Sequence, residues 1–254
     1  MKTTDWEKTD SQFIRTLSDD DLTEVWPQLH AADLADLPSE DVRAAWLLFH
    51  NGHYAAAAEA GLTLGAEGIP VVQRAVVAYT DYICEDEDVC TALLEEAYLL
   101  GEDVDEGDSN AQFTTALAMG RYSQSISVTK ALAKGLGSKV KNLLTKVLDD
   151  QPNHAEAHLA LAMYHAEIID KVGATLGGLT YGANAKTAQK HIKQSLELVP
   201  NAINLIEAGN AILLLKGDKG MNDATAYYER AAEIEPLDAL QAMDVDFAQS
   251  QLED

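Results

Sequence analysis

The chain has 254 residues, 47% of them hydrophobic and 6% aromatic, with two cysteines and a formal net charge of -24. The apolar-rich, aromatic-poor composition suits many small helix–helix contacts better than sheets, the cysteine count excludes a disulfide scaffold, and the charge disfavours nonspecific attraction to nucleic-acid phosphates. No apolar run approaches the roughly 18–20 residues that span a bilayer, and the start MKTTDWEKTD lacks the layout of a secretion signal, so cytoplasmic residence is expected.

At the N-terminus, SDDDLTEVWPQL predicts a helix with Ser18 as its N-cap and acids in the first turn, where the helix dipole favours them. Next, DVRAAWLLFHNGHYAAAAEAGLTLG predicts a helical hairpin that turns at Gly52 and starts again at Tyr54 and Ala57. VVQRAVVAYTDYICEDEDVCTALLEEAYLLG predicts a second hairpin, with Leu94 and Ala97 on its buried face. Its two cysteines, Cys84 and Cys90, flank an acidic run without further Cys or His ligands nearby, so reduced thiols are expected. Residues 101–110, GEDVDEGDSN, are charged and apolar-poor and predict an exposed loop.

From residue 111 onward a repeat emerges. Val140, Leu144 and Val147 precede Pro152; Ala188, Ile192 and Ser195 precede Pro200; Ala224, Tyr228 and Ala231 precede Pro236, with the same offsets of 4, 7 and 12 each time. Those offsets put three small or apolar side chains on one helix face, and the proline stops the helix. An earlier helix in each case carries a small residue suited to close packing, at Met119-Gly120, Leu161-Ala162 and Ala208-Gly209. After Pro236, LDALQAMDVDFAQSQLED predicts a closing helix over the last apolar face.

Residues 111–237, with Gly120, Ala162 and Gly209 followed by Ala188, Ala224, Tyr228, Ala231 and the three prolines, resemble the tetratricopeptide-repeat family. The family usually separates the two small residues by 12; here the separations are 20, 26 and 15, so SISVTKALAKGLGSK, IDKVGATLGGLTYGANAK and KGDKGMND are insertions. Extended hairpins of this kind, including YSQSIS and the VGA…YGA element, look like the subgroup related to the regulators of microtubule dynamics. The resemblance implies an all-α, right-handed α-solenoid of about five helical hairpins with terminal capping helices. On this reading residues 1–38 are an acidic capping region and 39–110 two degenerate hairpins, followed by three hairpins with insertions over 111–237 and a capping helix over 238–254. It also implies a concave groove exposing Arg121, Gln124, Ser125, Met163, Glu167, Asn210 and Leu213.

Charge is unevenly spread: residues 1–110 carry -20, residues 111–193 carry +5, and residues 194–254 carry -9. Within the basic stretch, Arg121, Lys130, Lys134, Lys139, Lys141 and Lys146 have no acid among them, and Lys130 and Lys134 share a helix face at i,i+4. Two readings follow: a partner-binding face that includes Lys130 and Lys134, or lysines that balance the chain's own acidic flanks. His154, His158 and His165 form an i, i+4, i+11 series, but no HExxH spacing accompanies them and packing is favoured over metal binding. The glycines of VGATLGGLTYGA lack the strand and the Gly-Lys-Ser/Thr ending of a phosphate loop.

No nucleophile elbow or Cys–His arrangement stands out, so no enzyme activity, catalytic residue, metal or cofactor is expected. The function expected is a non-catalytic scaffold or adaptor that binds a protein or peptide segment in its groove. Its rivals are a small-molecule or metal-binding helical-repeat protein whose groove is plugged by residues 171–186, and a subunit of a homo-oligomer.

Overall fold

The computed structural model describes residues 1–102 and 107–253. Among these the regular structure is α-helix with two short 3-10 turns and no strand. By contacts the chain forms two compact units, residues 1–143 with 237–240, and residues 144–236 with 241–254. The boundary therefore runs through two helices, α8 (Leu136–Asp150) and α14 (Ala239–Glu253).

In the first unit α1 (Asp19–Leu29) starts where expected, and its cap is a capping box: Ser18 accepts from the Asp21 amide while Asp21 accepts from the Ser18 amide. Two hairpins follow, α2 (Glu40–His50) with α3 (Tyr54–Thr63), and α4 (Ile69–Tyr82) with α5 (Glu87–Leu100). The turn between the first pair uses Gly52 at φ +88°, a conformation costly for any residue with a Cβ. Then come α6 (Ser109–Ser125), the short α7 (Val128–Ala133) and the first half of α8. Asp108 caps α6 by accepting from the Ala111 amide. Of the loop expected over 101–110, residues 103–106 lie outside the described residues, whereas Gly101 is buried and Ser109 already belongs to α6.

Gln73, fully buried on α4, joins three helices. Its amide nitrogen donates to the Ala97 carbonyl of α5 and to Thr115 of α6, each at 3.0 Å, and its oxygen accepts from Thr114 at 2.6 Å. A buried amide is tolerated when both its ends are bonded, and here the bonding also sets how α4, α5 and α6 meet.

The second unit contains α9 (Ala155–Val172), α10 (Ala174–Tyr181), α11 (Ala185–Leu198), α12 (Ala202–Lys216) and α13 (Met221–Ala232), together with the remainders of α8 and α14. α9 packs on α11 and on α12, and α12 packs on α13. Leu159, Ala162, Ala166, Ile192, Ala208, Ala211 and Ile212 form one core; Leu205, Ile206, Tyr228, Ala231, Val245 and Ala248 belong to another. All nine residues named before the three prolines are buried, from Val140 to Ala231. α7, α10 and the 3-10 turn Gly217–Gly220 fall within the three insertions. At Gly209 a Cβ would stand 2.9 Å from the Tyr228 ring, so the close crossing expected there exists. Gly120 differs: its Cβ position faces open space, because Met119 and Tyr122 supply the buried face of α6.

The cysteines correct the expectation of reduced thiols. Cys84 and Cys90 are joined by a disulfide, with their Cα atoms 6.1 Å apart. Asp86 caps α5 by accepting from the Asp88 and Val89 amides, which folds the chain back so that the first turn of α5 meets the end of α4. A cysteine spacing that appears open in a linear sequence is thereby closed by the local turn.

Candidate functional site

The basic segment is largely committed within its own unit. Lys134 donates to Glu95 at 2.7 Å, and Tyr122 donates to the same carboxylate oxygen at 2.7 Å. Glu95 and Tyr122 hold the Lys134 ammonium above the ordinary lysine range, and Lys134, with Tyr122, holds the Glu95 carboxyl below the ordinary carboxylate range. Lys130 lies over the Tyr122 ring at 5.7 Å, a cation–π distance. Arg121 donates to Asp81 at 3.1 Å and to Gln124 at 3.2 Å; Lys139 donates to Glu102 at 3.0 Å; Ser125 donates to the Tyr122 carbonyl at 3.0 Å. Arg121, Lys134 and Lys139 are thus each set against an acid of the chain, Asp81, Glu95 and Glu102.

The histidine series separates. His154 is the N-cap of α9, its Nδ1 accepting from the Ala157 amide at 3.0 Å. His158 bonds through Nε2 to the Pro152 carbonyl at 2.9 Å and through Nδ1 to His191 Nδ1 of α11 at 2.8 Å. Two neutral rings satisfy this arrangement, His158 donating to Pro152 and accepting from His191. Burial pushes His158 below its ordinary range and, with His158, His165 and Lys190 adding to it, takes His191 down to about 4. No group of three or more His, Cys, Asp or Glu among the described residues is arranged to hold a metal ion.

A second titratable cluster, absent from the sequence reading, lies in the first unit. His30 Nδ1 bonds Asp33 at 3.0 Å, His30 Nε2 meets His50 Nε2 at 3.3 Å, and His50 Nδ1 bonds Asp238 at 2.7 Å. Arg74 donates to Asp33 at 2.9 Å. Three hydrogen bonds in line need three protons wherever those protons sit. The two carboxyls and two imidazoles then carry one net negative charge, which Arg74 offsets. Burial pushes the His50 imidazole down, opposed by Asp238. Both carboxylates and both rings are at most 6% exposed, and Trp26 and Trp46 stack on His30 and His50 at centroid distances of 3.9 and 5.7 Å. The aromatic rings thus enclose the group.

α10 turns apolar side chains to solvent. Leu179 is 85% exposed and Leu176 54%, while Gly177 packs against Ile168 of α9, where a Cβ would come to 3.0 Å. The helix is held by Tyr164, whose hydroxyl donates to the Tyr181 carbonyl at 3.0 Å, and ends at Gly182 in the left-handed region. Leu176 and Leu179 of this segment point outward. Sequence reasoning noted the apolar glycines here; an uncharged run from Val172 to Ala185 was the signal for an exposed element.

The other residues expected in a groove fall on neighbouring helices of the second unit. Met163 and Glu167 are one turn apart on α9, Asn210 and Leu213 one turn apart on α12, and all four are half-buried. Met163 packs on the core, Glu167 accepts from Lys171 at 3.2 Å, and Asn210 accepts from Tyr228 at 2.8 Å. No protein-family model and no curated protein matches the chain.

Proposed function

We propose that this protein is a non-catalytic, tetratricopeptide-like scaffold whose hairpins stack as a right-handed solenoid and whose second unit binds an extended protein segment across α9 and α12. The observation that carries the reading is the direct packing of α9 on α12 with Met163, Glu167, Asn210 and Leu213 half-buried on them. Such positions offer apolar contact beside polar groups already oriented by Lys171 and Tyr228, which lowers the entropy lost on binding. The enclosure of the His30–His50 group supports the non-catalytic part, since no substrate reaches it without opening the aromatic core. In this reading Lys130 and Lys134 are scaffold residues.

The test is affinity capture from source-cell lysate with the native chain and a Met163→Glu, Leu213→Glu variant shown to fold by circular dichroism. A partner retained by the native chain and lost by the variant supports the proposal. A partner retained equally by both, or recovery of its own copies alone, removes it.

A further inference from the structure

We propose that α10 is a membrane-surface docking element that inserts Leu176 and Leu179 among the acyl chains of an anionic lipid surface while lysines beside it meet the headgroups.

The first argument is chemical. From Val172 to Ala185 the chain carries no charge, and its central helix turns two leucines to water, one of them at 85% exposure. An isolated exposed leucine is ordinary, but two on consecutive turns of an uncharged helix are a different feature. With Gly177 and Gly178 in its middle, α10 has poor intrinsic helicity. Packing of Gly177 on Ile168 and the Tyr164 bond keep it formed in that outward pose.

The second argument is charge. Residues 171–196 contain Lys171, Lys186, Lys190 and Lys193 and no acid, inside a chain of net charge -24. Lys186, Lys190 and Lys193 follow at i, i+4 and i+7 on α11, opposite its buried Ala188, Ile192 and Ser195. Lys171 and Lys193 contact Glu167 and Glu197 along their own helices, whereas Lys186 and Lys190 make no ion pair among the described residues. This contrasts with Lys134 and Lys139, which are paired to acids elsewhere in their unit. At physiological ionic strength charges act over about 8 Å, so a bilayer in contact with α10 meets the charges near that helix rather than the charge of the whole chain; those nearest in sequence are Asp170 and Lys171 before it and Lys186 and Lys190 after it.

The small extent of the patch favours a lipid surface over a protein. Two leucines and the threonines beside them cover far less than the roughly 800 Å² per partner of a stable protein interface. Burial of each leucine shifts partition by roughly ten- to a hundredfold, so the pair gives reversible attachment on the scale of a single acyl anchor.

The experiment is flotation of the full chain with phosphatidylcholine vesicles, with and without phosphatidylserine, alongside Leu176→Ser/Leu179→Ser and Lys186→Glu/Lys190→Glu variants. Circular dichroism verifies that each variant folds. The native chain should float with the anionic vesicles, and each double variant should lower its partition by roughly tenfold or more. A Leu179→Trp variant should add a blue-shifted emission on vesicle addition. Failure of the native chain to bind anionic vesicles overturns the proposal, as does binding that both double variants retain. Self-association that the leucine variant abolishes, without vesicle binding, assigns the surface to a second copy instead.

Discussion

At Gly101 a Cβ would lie 1.9 Å from the Thr115 hydroxyl and 2.6 Å from the Gln73 amide, so a methyl group there displaces the buried junction of α4, α5 and α6. Gly101→Ala should lose about 2–3 kcal/mol in urea unfolding, as overpacking does; a loss below about 0.5 kcal/mol would show that the junction yields. His50→Leu removes the centre of the Asp33–His30–His50–Asp238 line and takes the imidazole bond from the buried Asp238 carboxylate. The expected loss is about 3–5 kcal/mol by the same measurement, and a loss under about 1 kcal/mol would contradict the proton count. His191 contributes to the pH response alongside His158 and His50, which burial also holds low. Its folded value of about 4 lies below the ordinary 6.5, so between these values the unfolded chain binds the extra proton and stability falls as pH is lowered. Because the ring is only half-buried, about 2 kcal/mol should be lost between pH 7 and 4, and His191→Gln should flatten that slope of stability against pH.

Among the elements, the hairpin of α4 and α5 carries the Cys84–Cys90 bond across six positions. Closing so short a loop restricts the unfolded chain modestly, and reductant should lower stability by about 2 kcal/mol in a thermal melt with and without dithiothreitol. No change would mean that the thiols are not paired in solution. α1 depends on its cap in a way that was readable in advance: Ser18 and Asp21 satisfy each other's amides from three residues apart, within reach of local geometry alone. α10 shows the opposite case. Its composition marked it as uncharged, but only the packing of Gly177 on Ile168 shows which side of the helix is turned to water.

For the whole molecule, the C-terminal segment serves both compact units. Asp238 completes the buried line in the first, and Val245 and Ala248 join the core of α12 and α13 in the second. A chain ending at Pro236 should therefore melt about 10 °C lower or more, with a loss of helical signal beyond that of the missing helix. An unchanged melting temperature would show the segment to be dispensable. No described helix is long and apolar enough to cross a membrane; docking through α10 calls only for contact with a bilayer surface.

By itself the sequence determined most of the helices, the Ser18 cap and the small or apolar residues ahead of the three prolines, because these depend on neighbours three or four positions away and on the proline that ends each run. The burial of Leu144, Ile192 and Tyr228 follows from that periodicity. Only the tertiary structure decided that His50 meets Asp238 across 188 positions and that Lys134 reaches Glu95 across 39. It also decided that Leu179 lies in solvent. Pairings of that kind are fixed by how whole helices pack, and a charge or a leucine carries the same letter whether its partner is another side chain, water or a surface outside the molecule.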